Sequence, residues 1–141
     1  MSDELAALDA TAQAALVTRR ELSARELVDA AIERLERRNP ELNAVIHSYL
    51  DLARERADAV EPGSAPFAGV PMLMKDIGGA EAGQPNHAGM AALKRAGYRE
   101  PADSYFTQRV RAAGLLSLGR TNKPELAILP VAEPDAYGAT R

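Results

Sequence analysis

The run Gly69-Val-Pro-Met-Leu-Met-Lys75-Asp76 decides how this chain is read. An apolar stretch of this length, entered from a glycine and closed by a lysine and an aspartate, has the bounds of a short buried strand. A second run, Leu115-Leu-Ser-Leu118, closes at Gly119 and has the same character. Helical stretches lie around both, and that alternation indicates an α/β fold over an all-α bundle.

The segment before the first run reads as mainly helical over residues 1–62. Asp9 is positioned to cap a helix running to Arg20, with Ala12, Ala15 and Leu16 as its apolar positions. Ser23-Ala-Arg-Glu26 has the spacing of a capping box, in which each end satisfies the other's backbone N–H. Leu27, Val28, Ala31, Ile32 and Leu35 then fall on one helical face. Arg34 to Arg38 form a solvated helix end, and Asn39-Pro40 is expected to terminate it. Asn43 to Tyr49, with Val45-Ile46, predicts a strand, and Asp51 to Ala59 a further helix. Glu61 to Pro66 is a loop.

Residues 63–141 form the α/β portion. Ala88 to Ala96 predicts a short helix closing at Gly97. Asp103 or Ser104 opens another, with Phe106, Val110 and Ala113 facing inward and Gly114 at its end. Asn122-Lys-Pro-Glu125 reads as a cap with proline inside the first helical turn. There is no internal repeat.

Composition narrows the function. The 141 residues carry 20 acidic and 17 basic side chains, a formal charge of −3, and no cysteine. Lysine and arginine are dispersed among the acids, so no basic stripe points to nucleic acid. Absent cysteine removes disulfide and thiolate chemistry and fits a cytoplasmic protein. No apolar run approaches the roughly 20 residues of a membrane span, and the acidic N-terminus has no secretory pattern. The two histidines, His47 and His87, lack metal-ligand spacing, so no metal site is expected. The Ile77 to Gly83 stretch has no phosphate-loop pattern. His87 is expected in a loop and His47 at a strand edge.

A lysine directly after a buried strand stands where functional groups gather in α/β sheets. Many lysines in that position only carry their charge to solvent, and residues and spacing do not separate the two readings. The ordered set of motifs does. Ser23-Ala-Arg-Glu-Leu27, Asn39-Pro-Glu-Leu-Asn-Ala-Val45, Phe67-Ala-Gly-Val-Pro71, Lys75-Asp76, Arg111-Ala-Ala-Gly114, Gly119-Arg-Thr-Asn122 and Pro124-Glu-Leu126 follow one another in the order of the amidase-signature family. Over nearly its full length the chain resembles the N-terminal portion of that family, and Asn86-His-Ala-Gly-Met90 with the Arg99 to Ser104 stretch resembles the linear and cyclic amide hydrolases of the 6-aminohexanoate type.

The resemblance implies an amidase that hydrolyses a carboxylic amide to acid and amine through a Ser–cis-Ser–Lys triad, with no metal or organic cofactor. Lys75 is the residue that maps onto the triad. In such enzymes the lysine takes a proton through an intermediary serine, held by a non-proline cis bond worth about 3–4 kcal/mol of strain. Asp76, Thr121 and Asn122 are neighbouring candidates, though Asp76 is equally suited to capping the next loop and Asn122 to capping a helix. The Gly/Ser-rich segment that supplies the serines is not found here. Ser2, Ser23, Ser48, Ser64, Ser104 and Ser117 all stand in capping, loop or strand contexts. The expectation is therefore an inactive portion of a single amidase domain, marginal or oligomeric by itself, whose partners are a small amide substrate, the rest of the domain or a second copy. A non-catalytic binding module and a helical assembly piece using Leu27, Ile32 and Leu35 remain as other readings.

Overall fold

Ser23 and Glu26 show how local chemistry sets this fold. Ser23 N–H donates to Glu26 Oε2 at 2.9 Å, and Glu26 N–H donates to Ser23 Oγ at 3.1 Å. This reciprocal box starts the longest helix. The computed structural model describes residues 2–141. Its helices are α1 (Ser2–Ala6), α2 (Ala10–Thr18), α3 (Ala24–Leu42), α4 (Leu50–Asp58), α5 (Ala91–Arg95) and α6 (Tyr105–Ala112). Its strands are β1 (Val45–Ser48), β2 (Pro71–Lys75) and β3 (Leu116–Thr121), and a 3-10 turn spans Glu125–Ala127. The sheet has the order β1-β3-β2. The chain divides into two units.

The first unit takes residues up to Arg38, Tyr49–Met72 and Val110–Leu118. Its core joins Val17 of α2, Leu27, Val28 and Ile32 of α3, Ala53 and Ala57 of α4, and Val70, Leu116 and Leu118. Burying each of the large aliphatic side chains contributes about 1.5–3 kcal/mol. Asp9 caps α2 by accepting from Ala12 N–H at 2.8 Å. The buried face of α2 is Ala14 and Val17, not Ala12, Ala15 and Leu16. An Ala-rich helix is apolar nearly all round, so periodicity singles out no face. Gly69 has φ +87°, and an added Cβ would lie 2.5 Å from the Cβ of Ala24, so only glycine lets the chain pass the first turn of α3.

The second unit takes Asn39–Ser48, Leu73–Arg109 and Gly119–Arg141. The helix α3 runs through Pro40 to Leu42 instead of stopping at Asn39-Pro40. Termination falls to the Asn39 side chain, whose Oδ1 accepts from Ala44 N–H at 2.9 Å and Val45 N–H at 2.7 Å. In β1, Val45, His47 and Ser48 pair antiparallel with Thr121, Arg120 and Gly119. Gly119 packs so closely there that a Cβ would meet the His47 carbonyl at 2.1 Å. Beside them β2 runs parallel to β3: Leu116 N–H donates to Val70 O at 2.9 Å, and Asp76 N–H to Thr121 O at 3.1 Å.

Two further expectations are corrected. Ser104 does cap α6, accepting from Thr107 N–H at 3.2 Å. Its Phe106, however, is 57% exposed, and Thr107 is the buried residue of the helix. Residues 122–125 do not open a helix capped by Asn122. The short 3-10 turn follows Pro124 and receives no side-chain cap, and its Leu126 has φ +52°.

Candidate active site

The parallel ends of β2 and β3 gather the residues singled out by sequence. Lys75 ends β2 and Thr121 ends β3. Lys75 is an exposed residue, and its Nζ donates to the main-chain carbonyl of Asn122 at 2.9 Å in a partly buried bond. Asp76 faces the other way and is completely buried. Its carboxylate accepts from His87 N–H and Gly89 N–H, each at 2.8 Å, so it fixes the loop that returns past β2. Thr121 contributes its carbonyl to Asp76 N–H. Asn122 is buried and bonds with every polar group it has.

Arg120 organises the same end from within. It is fully buried on β3, where its guanidinium donates to Lys75 O at 2.6 Å, Gly78 O at 3.2 Å and Gly79 O at 2.6 Å. The buried Glu81 carboxylate stands 4.0 Å away. A planar fork with several donors suits this convergence of carbonyls, which a lysine could not reproduce. Lys123 is also buried, reaching Ala88 O at 3.4 Å. Burial pushes its pKa down, Asp76 opposes that shift and Lys75 adds to it.

A polar cluster lies on the Asp76 side. His87 Nε2 meets the Tyr98 carbonyl at 3.0 Å and therefore carries the proton. In its neutral form His87 then accepts at Nδ1 from the Tyr137 hydroxyl, and the Tyr137 oxygen accepts from His47 Nε2 at 3.0 Å. His47 Nε2 lies 3.9 Å from Asp76 Oδ1. Burial is the largest influence on the His47 ring and lowers its pKa to about 4, against the opposing pull of Asp76. Burial likewise raises Tyr137 to about 12. The Lys94 ammonium lies over the Tyr137 ring, 4.4 Å from its centroid, and donates to the Ala136 carbonyl.

His87 does stand in a loop, as expected from sequence, and it is buried there. Sequence reasoning passed over Arg120, Lys123 and Tyr137. A charged residue inside the apolar Leu115–Leu118 continuation was a signal for Arg120; nothing local marked Tyr137. Three of the serine hydroxyls are engaged elsewhere: Ser23 with Glu26, Ser104 with Thr107, and Ser117 with Tyr49. Among the described residues, no group of three or more His, Cys, Asp or Glu side chains is placed to hold a metal. No described helix is long and apolar enough to cross a membrane.

Helices and a mixed sheet, with polar groups collected at the carboxyl ends of adjacent parallel strands, define an α/β protein whose candidate site lies at those strand ends. The family model described as Amidase matches residues 26–141. The chain belongs to this family, the amidase-signature enzymes. It is 47% identical over 133 residues to a 6-aminohexanoate-cyclic-dimer hydrolase from Paenarthrobacter ureafaciens, covering 94% of this chain and 26% of that protein. The solved structure of 6-aminohexanoate cyclic dimer hydrolase with substrate superposes with a TM-score of 0.89 at 45% identity, over 95% of this chain and 27% of that one. A bacterial aryl acylamidase of the amidase-signature family superposes with a TM-score of 0.86 at 34% identity, over 95% of this chain and 29% of that one. The chain thus spans little more than a quarter of the length of the relatives it matches.

Proposed function

We propose that the whole protein is an amidase, hydrolysing a carboxylic amide to acid and amine, and that residues 1–141 are the N-terminal part of its single amidase domain. Lys75 serves as the base of a Ser–cis-Ser–Lys triad whose serines lie outside this chain. The observation that carries this reading is the Lys75 amine at the carboxyl ends of β2 and β3, held on the Asn122 carbonyl at 2.9 Å. A neutral lysine there accepts the proton of the intermediary serine, which takes the proton of the nucleophilic serine as that oxygen attacks the amide carbon; the relay returns a proton to the amine as the C–N bond breaks and the acyl-enzyme forms. Water then releases the acid. Asp76 acts by fixing the loop through His87 and Gly89 rather than by touching substrate.

The nearest chemical guide to substrate is the 6-aminohexanoate cyclic dimer named for the relatives, so linear and cyclic amides of short amino acids are the class to assay. In the full-length protein, Lys75→Met is expected to lower kcat by about 10²- to 10⁴-fold, the range of a lost general base. Activity within about tenfold of wild type would sink the assignment. The isolated 141-residue chain is expected to hydrolyse no amide and to leave its serines unlabelled by a fluorophosphonate probe.

A further inference from the structure

Asn122 joins two parts of the site. Its N–H donates to Ala44 O at 2.7 Å and its carbonyl accepts from Lys75 Nζ at 2.9 Å. Its side-chain Oδ1 accepts from Lys123 N–H at 3.0 Å. The two Nδ2 protons go to Gly138 O at 2.9 Å and Thr140 Oγ1 at 3.0 Å. Thr140 Oγ1 passes its own proton to Asn43 O at 2.9 Å, and Asn43 Nδ2 donates to Tyr137 O at 2.8 Å and Ala139 O at 3.1 Å. One buried residue therefore holds the lysine amine with its main-chain carbonyl and the 138–140 segment with its side-chain amide.

The choice of a carbonyl as the lysine's partner matters chemically. A neutral amine has two N–H donors and one lone pair. Giving one N–H to a carbonyl limits rotation about the Cε–Nζ bond and leaves the lone pair directed away, free to accept a proton. A carboxylate in that place would instead hold the amine as an ammonium. Orientation of a base to within a fraction of an ångström is worth large factors in rate.

We propose that Asn122 is a positioning residue, which fixes the Lys75 amine and the 138–140 segment to one another so that the lone pair of the base keeps a constant bearing. The inference rests on the reading of Lys75 as the base. It does not make Asn122 a catalytic residue, since its main-chain carbonyl acts through Lys75 and its side chain only holds Gly138, Thr140 and the Lys123 N–H.

The test compares Asn122→Ala, Thr140→Val, Thr140→Ser and Lys75→Met in the full-length protein, with the best amide from the substrate panel. Melting temperature and near-ultraviolet circular dichroism verify the fold. Asn122→Ala is expected to lower kcat by about 100-fold with KM nearly constant, as for a base displaced by about an ångström. It is also expected to raise the rate at which acetic anhydride acylates Lys75, read by mass spectrometry. Thr140→Val shows the same pattern more weakly, and Thr140→Ser restores wild-type values. A folded Asn122→Ala with wild-type kcat and Lys75 acylation overturns the inference; if Lys75→Met is then inactive, the base reading survives it. If Lys75→Met keeps wild-type activity, the base reading fails and takes the inference with it. If Asn122→Ala unfolds and Thr140→Val folds with unchanged kinetics, Asn122 is a structural clamp and the inference fails.

Discussion

At the scale of single residues, the polar side chains buried at the strand ends are the sensitive points. Asp76 accepts two backbone N–H groups with no exposure to water. Charge-assisted bonds of this kind contribute about 1.5–3 kcal/mol each, so Asp76→Ala is expected to cost about 3 kcal/mol or more in urea unfolding. Asp76→Asn keeps the acceptor shape and is expected to cost about half as much; equal costs would show that the charge is irrelevant. His47 makes stability depend on acidity. Its folded pKa of about 4 lies below the ordinary 6.5, so between those values the unfolded chain takes up a proton that the native ring refuses. Stability is therefore complete above pH 6.5, falls as pH drops toward 4, and loses nothing further to this group below that. The full shift corresponds to about 3 kcal/mol, reduced to roughly 1–2 kcal/mol by the solvent reaching a partly exposed ring. His47→Gln, which keeps a donor toward Tyr137, is expected to flatten the slope between pH 6.5 and 4. An unchanged slope would assign the acid sensitivity elsewhere. Little of this was legible beforehand. Lys75 and Asp76 stood out because a charged pair ends an apolar run, whereas Asn43 and Asn122 find their partners in residues 137–140, and no local pattern announces a bond across so much chain.

At the scale of elements, the helix starts at Asp9, Ser23 and Ser104 read well, whereas the Asn122 cap and features governed by tertiary packing read poorly. The Ser23–Glu26 box was legible because it is entirely local, and Ser23→Ala is expected to cost about 1 kcal/mol, with a matching cost for Glu26→Ala. A double variant costing the sum of the two would show that the pair does not act as a unit. The end of α3 was misplaced because Asn39, one residue before the proline, carries the stop signal forward to Ala44 and Val45. Phe106 was assigned inward by helical spacing, yet burial goes to Thr107, since α6 is too short for its pattern to fix a face. Close approach between strands predicts the largest effect. Gly119→Ala would drive a Cβ against the His47 carbonyl and is expected to destabilise by about 3 kcal/mol or more by forcing β1 from β3. A loss below about 1 kcal/mol in chemical denaturation would mean that the β1 edge is not tightly paired.

At the scale of the whole molecule, the exposed apolar residues are as informative as the buried ones. Ile128 is 73% exposed, Leu129 61% and Val131 49%, all within one short stretch, and Leu126 precedes them. Exposed apolar runs of this sort mark surfaces that are covered in a complete assembly. The isolated chain is therefore expected to associate as its concentration rises, read by analytical ultracentrifugation. A concentration-independent monomer with a sharp melt above about 60 °C would contradict this. Ile128→Lys with Leu129→Ser is expected to suppress the association. The pairing of β1 with β3 has one more consequence, in time rather than in space. His47 pairs with Arg120, which stands 120 − 47 = 73 positions later in the chain. At about 5–20 residues per second a ribosome needs roughly 4–15 s to make that stretch. Through that interval β1 has been synthesised and has no neighbour in the sheet. The nascent protein thus carries a bare strand edge for seconds, the window in which a chaperone would engage it.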